Sequence, residues 1–323
     1  MDRPWDCIVV GGGAAGLSAA LVLGRARRHT LVVDAGHQSN RTAEGIGGLL
    51  GQDGRAPAEF YAAGREELVS YPTVELRSSE ISNGRRGDGN GDFVLELVDG
   101  SSETARRVLL ATGMDYRLPE LPGIAERWGR SVFHCPFCHG WEVRDRPLGV
   151  LDRGDSGVQR ALLLRFWSGD VTLLADGPAE LEAQDVERLG TAGVVVDERR
   201  VAGLRGAGSG LAAVVFADGA ERECGGLLVP VTMHQRSALA EQLGARVADP
   251  GHVAFDALEI DSAFQTSVPG LFAAGDASSQ MPSVANAVAA GSSAAAAVVH
   301  DLMADPGQLR DEHRRPRRAA SRV

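Results

Sequence analysis

The strongest constraint lies at the N-terminus. Cys7-Ile8-Val9-Val10 is a continuous apolar run, the pattern of a parallel strand buried on both faces. Gly11-Gly12-Gly13-Ala14-Ala15-Gly16 follows, and then the Ala- and Leu-rich run Leu17–Leu23. Gly11, Gly13 and Gly16 fit G-x-G-x-x-G between a strand and a helix. The first glycine makes a tight turn, the second lets backbone approach a pyrophosphate, and the third packs helix on strand. Ala14 and Ala15 then open a helix whose N-terminus offers free N–H groups and a positive dipole end to phosphates. A second strand, Thr30–Val33, ends at Asp34 and Ala35. Asp34 lies 18 residues after Gly16, near the ~20 expected of an acid that binds a ribose hydroxyl. These residues predict an α/β dinucleotide-binding domain and leave NAD and FAD both open.

The chain has 323 residues, enough for two domains of about 150 each. A chain of this length buries about 75% of its unfolded surface and needs neither disulfide nor metal to hold a core. Aromatics are only 5%, so the core must be mostly Ala, Val and Leu. No apolar run reaches the ~18 residues of a membrane span. Met1–Trp5 has no charged segment followed by a cleavable apolar one, so a cytoplasmic location is expected. Net charge is −10, from 33 basic and 43 acidic residues. All the basic residues are Arg, which excludes Schiff-base and P-loop lysine chemistry. An acidic body gives no reason to expect nucleic-acid binding.

The C-terminal part chooses between the dinucleotides. Pro269–Ala277 reads as a strand ending in Gly275-Asp276, followed by an Ala-rich helical stretch from about 283 to 303. Val108–Leu110 leads into Ala111-Thr112-Gly113. Together with the first motif these segments resemble the flavoproteins with two dinucleotide domains. The resemblance implies FAD, with Asp276 on a ribityl hydroxyl and Ala111-Thr112-Gly113 ending the strand at which the chain leaves the FAD domain. It also makes Asn40 and Arg41, in the excursion after the second strand, cofactor contacts.

Four cysteines remain. Cys7 lies in the first strand and Cys224 is isolated. Cys135 and Cys138 are spaced C-x-x-C, a redox or metal pattern. No second C-x-x-C completes a zinc site, although His134 and His139 flank the pair. The segment His134–Glu142, between the flavin motifs, resembles the low-molecular-weight thioredoxin reductase family over about residues 4–304. The family usually has Asp after the second cysteine. His139 stands there instead, a form similar to the dithiol oxidases of gliotoxin- and holomycin-type pathways. The resemblance implies that Cys138 faces the flavin, with a helix N-terminus beginning at that cysteine to stabilise its thiolate. Cys135 would form the mixed disulfide with a small-molecule dithiol, and oxygen would accept the electrons. His139, and secondarily His134, suit proton transfer near neutral pH. A thioredoxin reductase-type enzyme driven by NAD(P)H is the alternative. A flavin-containing sensor is a third class, against which the intact C-x-x-C argues.

A nicotinamide site should carry a second glycine motif. Leu148–Leu151 is followed by Asp152-Arg153-Gly154-Asp155-Ser156-Gly157. Asp152 takes the first glycine's place, and Asp155 adds charge where a pyrophosphate would lie. After the next strand the family's arginines are missing, and Ala175-Asp176-Gly177-Pro178 offers nothing basic. A ribose-binding Asp176 that admits NADH is the other reading of that segment.

The resemblance implies two Rossmann-like domains, the FAD domain being interrupted by the one that carries the C-x-x-C. The expected boundaries are 1–116 and 245–304 for the FAD domain, 117–244 for the insert, and a basic, disordered tail at 305–323. Strands are predicted at about 74–82 and 93–98, joined by a polar Gly-rich loop, and Trp141 is expected in the core. No metal, nucleic acid or membrane is expected as partner, and a homodimer is the family's state.

Overall fold

A computed structural model describes residues 4–87 and 92–304. The basic tail and residues 88–91 of the Gly-rich loop lie outside the described residues.

The chain opens with strand β1 (Trp5–Val10), helix α1 (Ala14–Arg25), β2 (Thr30–Asp34), α2 (Pro57–Leu68) and β3 (Val74–Ser78). β1, β2 and β3 pair in parallel. The hairpin strands β4 (Ile81–Arg86) and β5 (Phe93–Leu97) follow, and then β6 (Ser102–Leu110), which pairs in parallel with β1. The single strand predicted at 74–82 is therefore two. Residues 74–78 complete the parallel array against β2. The chain then turns at Ser79-Glu80, where Ser79 N–H donates to the Asp34 carbonyl, and β4 enters the antiparallel hairpin.

The inserted segment begins with β7 (Met114–Arg117), β8 (Val132–Phe133) and the short helix α3 (Pro136–His139). Next come β9 (Leu148–Leu151), α4 (Gly154–Leu164), β10 (Val171–Leu174), α5 (Ala183–Thr191) and β11 (Val194–Asp197). β12 (Val201–Ala207), β13 (Gly210–Phe216) and β14 (Glu221–Glu223) form an antiparallel sheet. β15 (Gly226–Leu228) completes a five-stranded parallel sheet of order β11-β10-β9-β15-β8. β16 (Thr232–Gln235) then pairs antiparallel with β7, and this ribbon joins the two sheets. After α6 (Leu239–Gln242) the chain returns to the first sheet as β17 (Leu271–Ala273), alongside β6, and ends in α7 (Val284–Leu302). The α/β class with two parallel nucleotide-type sheets, the first interrupted by the second, is the architecture expected from the motifs.

Burial explains the patterning. Cys7 and Val9 face α1 and α7, whereas Ile8 and Val10 face the hairpin and α6, and all four are buried. Such a strand has no solvent face, so its sequence does not alternate. α1 and α7 meet through small residues. A Cβ on Gly291 would collide with the Ala15 carbonyl, so glycine there sets how closely the two helices approach. No described helix is long and apolar enough to cross a membrane.

Candidate active site

One cavity gathers the sequence motifs. Gly11, Gly13, Ala14, Ala15 and Asp34 line it, as do Ala111, Thr112, Gly113, Gly275 and Asp276. Asn40, His134, Cys138 and His139 belong to the same wall. Residues more than 250 positions apart thus meet at the C-terminal ends of β1, β6 and β17, where open parallel sheets hold their ligands.

The geometry suits FAD. Gly11 has φ +107°, and a Cβ there would run into the Ala111 carbonyl, so the turn after β1 tolerates glycine alone. Gly16 packs on the Gly11 carbonyl. It stays out of the cavity and serves the helix–strand contact. The Cβ position of Gly13 is open, with its nearest neighbour at 3.8 Å, which leaves room for a phosphate. Gly13 caps α1 with no side-chain hydrogen bond, and the first turn holds no acid. The start of α1 therefore offers backbone donors and a positive dipole end to an anion.

Asp34 is almost fully buried. It accepts hydrogen bonds from Gly12 N–H (3.1 Å), Gly36 N–H (3.0 Å) and Arg65 Nη2 (2.6 Å). Burial opposes its ionisation, but these donors, led by Arg65, hold its pKa below the usual carboxylate range. Asp276 is the contrasting carboxylate. It is half-buried with one side-chain hydrogen bond, from Tyr116 Oη at 3.3 Å, and desolvation pushes its pKa up to about 6. A half-buried carboxylate on the cavity wall with spare acceptor capacity fits the hydroxyl of a bound ribityl chain. Asn40 Oδ1 accepts from Tyr61 Oη at 2.8 Å. Arg41, expected as a cofactor contact, is exposed, donates to the Gly36 carbonyl at 2.6 Å and is not in the lining. The turn after Gly36 directs it to solvent. Ala35 likewise lies outside the lining, one residue past Asp34.

Cys135 and Cys138 form a disulfide, with Cα atoms 5.3 Å apart. Cys138 faces the cavity and Cys135 is not in its lining. The helix start expected at Cys138 lies earlier. Cys135 is the N-cap of α3, whose first residue is Pro136, and Cys138 sits within it, because proline is pre-organised for a first helical position. Trp141, expected in the core, is 65% exposed, with the Arg144 guanidinium 3.8 Å above its ring. The segment after the four-residue α3 turns it outward.

Both histidines lie beside the pair. His134 packs against the rings of Trp128 (5.6 Å) and Tyr116 (5.1 Å), which also lie beside each other. Burial, reinforced by His139 and Arg160, lowers its pKa to about 4. His139 stacks on Phe133 at 5.8 Å, and neither ring nitrogen has a hydrogen-bond partner. Burial lowers its pKa as well. Both imidazoles are thus neutral near pH 7. No group of side chains able to hold a metal occurs among the described residues. Cys7 and Cys224 are buried thiols whose pKa values burial raises.

At the inserted sheet's nucleotide corner the acid that replaces the first glycine is paired within the protein. Asp152 accepts from Arg160 Nη1 (2.7 Å), Ser156 Oγ (2.9 Å) and Arg153 N–H (2.8 Å). It therefore takes up the start of α4 as a paired charge and is not a bare repellent. The turn after β10 is also less bare than its sequence. Arg153 Nη2 and Arg200 Nη1 both donate to the Asp176 carbonyl, at 3.2 and 2.7 Å. The segment itself offers nothing basic, as its sequence predicts; the fold brings Arg200 in from 24 residues on.

Several lining residues carried no sequence signal. Tyr116, Trp128, Ile46, Gly47 and Arg236 all line the cavity. Tyr116 alone could have been suspected, three residues beyond Gly113 in an alternating strand.

Residues 5–291 match the family described as pyridine nucleotide-disulphide oxidoreductase. Thioredoxin reductase tcpT of Claviceps purpurea is 34% identical over 93% of this chain and 95% of its own length. The crystal structure of HlmI superposes with a TM-score of 0.88 at 36% identity, covering 95% of each chain. An oxidoreductase from Agrobacterium tumefaciens superposes at 0.87 with 37% identity, over 94% of this chain and all of its own. The nucleotide folds, the flavin motifs converging on one cavity and the disulfide facing it agree with these matches: the chain belongs to the pyridine nucleotide-disulphide oxidoreductase family, as an FAD-binding, thioredoxin reductase-like thiol:disulfide oxidoreductase.

Proposed function

We propose that this protein is a dithiol oxidase that closes an intramolecular disulfide in a small sulfur metabolite, with oxygen as the final acceptor. One contrast carries the reading. Cys138 of the redox pair faces a cradle fit for FAD, beside two neutral imidazoles, whereas at the nucleotide corner of the inserted sheet Asp152, paired with Arg160, stands where the first glycine of the motif would turn. The likeness to HlmI and the His139 form of the C-x-x-C point the same way.

His139, or His134 beside it, takes the proton of the first substrate thiol. The thiolate attacks Cys135 Sγ, the Cys135–Cys138 bond breaks, and Cys138 leaves as a thiolate into the cavity. The second substrate thiol, deprotonated in turn, attacks the substrate sulfur of the mixed disulfide and expels the Cys135 thiolate. The substrate has lost two electrons and two protons, and the cysteine pair has gained both electrons. FAD, held by Gly11, Gly13, Ala14, Ala15, Asp34 and Asp276, would supply the two-electron acceptor that restores the disulfide, and oxygen would take the two electrons together with the two protons given up by the substrate thiols to become hydrogen peroxide. In this reading the partners are a small dithiol and oxygen, the working state is a cytoplasmic homodimer, and neither membrane nor nucleic acid takes part.

Arg153 and Arg200 favour a second reading, an NAD(P)H-driven disulfide reductase, because they bring cations to the turn where a nucleotide phosphate would lie. Anaerobic mixing decides between them. Bleaching of the flavin by a small dithiol, with recovery and peroxide on admitting air, is the expected result. Rapid bleaching by NADPH or NADH establishes the reductase instead.

A further inference from the structure

Arg236 belongs to no motif and takes no part in the thiol chemistry, yet it lines the cavity. It follows β16 directly. Its Nε donates to Asp115 Oδ1 at 2.7 Å, and Nη2 donates to the Met114 carbonyl at 2.9 Å. Nη1 donates to the His37 carbonyl. Gln38, next to that acceptor, bonds to Asp34 and to the Gly12 carbonyl. The guanidinium therefore lies against the loop that abuts the start of α1, and the Cβ position of Gly113 is 3.9 Å from Nη1.

Charge makes the placement informative. Among the described residues lining this cavity Arg236 is the one arginine, and the chain has no lysine. The other ionised side chains on the wall are carboxylates. Asp34 spends its charge on Arg65, which is not in the lining. A doubly charged diphosphate brought into this site would meet the α1 dipole and a guanidinium whose Nε edge is paired with Asp115, which lies outside the lining, and whose Nη1 edge is turned to the cavity loop. One N–H of Nη1 is left over after the bond to His37. We propose that Arg236 is the side-chain cation that binds the FAD diphosphate. The assignment is independent of the direction of electron flow, since FAD is common to both functional readings.

The test is FAD affinity. The full-length apoprotein is titrated with FAD, and flavin fluorescence quenching gives Kd. R236Q is expected to raise Kd about 10–100-fold, the worth of a hydrogen bond to a charged group. R236K keeps the charge, loses the planar fork and is expected to raise Kd about 3–10-fold. D115N breaks the ribbon ion pair but leaves the guanidinium in the cavity, so it should leave Kd within about threefold. A residue that merely braces the ribbon gives another order, with D115N weakened as much as R236K or more. Unchanged Kd in R236Q, wild-type Kd in R236K, or that reversed order overturns the proposal. Should R236Q yield no folded apoprotein, R236K against D115N decides it alone.

Discussion

Gly47 rests on the backbone of Cys138. A Cβ added to Gly47 would stand 2.7 Å from the Cys138 carbonyl oxygen and 3.2 Å from its Cα. The loop after β2 thus seats the redox helix directly, with no side chain between them. Arg130 supports the same junction, its Nη1 2.8 Å from Glu44 Oε1 and its Nε donating to the Thr42 carbonyl at 3.2 Å.

Gly47→Val should push α3 away from the cavity, because the neighbour is backbone and cannot rotate aside. A displacement of about 1 Å in a reacting group costs about 100-fold in rate. The dithiol-dependent rate should fall about 10–100-fold with FAD still bound. The long-wavelength absorbance of a thiolate against flavin should weaken in parallel. A full-strength band in Gly47→Val would show that the contact does not position the pair.

His134 makes stability depend on acid. Its folded pKa of about 4 lies below the value of about 6.5 in an unfolded chain. Between those values the unfolded state binds more protons, so stability falls as pH drops from about 6.5 to about 4. This histidine contributes a loss on the order of 3 kcal/mol over that window. His134→Phe, an aromatic replacement beside Trp128 and Tyr116, should flatten the urea midpoint between pH 7 and 4. Equal slopes for wild type and variant, both saturated with FAD, would falsify the assignment.

Arg65→Met should cost about 1–3 kcal/mol of stability, since it strands the buried Asp34 carboxylate. The discount from a fully buried pair reflects Arg65, whose side chain is 33% exposed. Chemical denaturation measures it. Arg65→Lys should recover part of the loss.

Gly291→Ala tests the α1–α7 contact. The added methyl meets the Ala15 backbone, which belongs to the start of the helix that cradles the cofactor. Overpacking of this kind costs about 1–3 kcal/mol, read as a lower Tm of the apoprotein. Weaker FAD binding should accompany it, because the two helices frame the cavity together.

The recognition of the chain rested on backbone demands that particular residues must meet. Gly11 is required by its positive φ and by the Ala111 carbonyl behind it, and Gly16 by the helix–strand approach. Such steric demands leave a mark on sequence at fixed spacing, as do the buried β1 run and the C-x-x-C. The expected cofactor, fold class and cysteine pair were legible for that reason. Asp34 and Asp276 were identified by position, but their opposite environments were not, because burial and Arg65 come from packing. Arg236, Trp128 and Gly47 were invisible, since long-range packing that no local pattern encodes places them in the cavity wall. The same holds for Arg153 and Arg200, separated in sequence and joined only at the Asp176 carbonyl. Sequence by itself determined the nucleotide folds and the redox pair, through short-range sterics and spacing. Tertiary structure alone decided which imidazoles stay neutral and which cation enters the cavity, because those depend on burial and on contacts between distant segments.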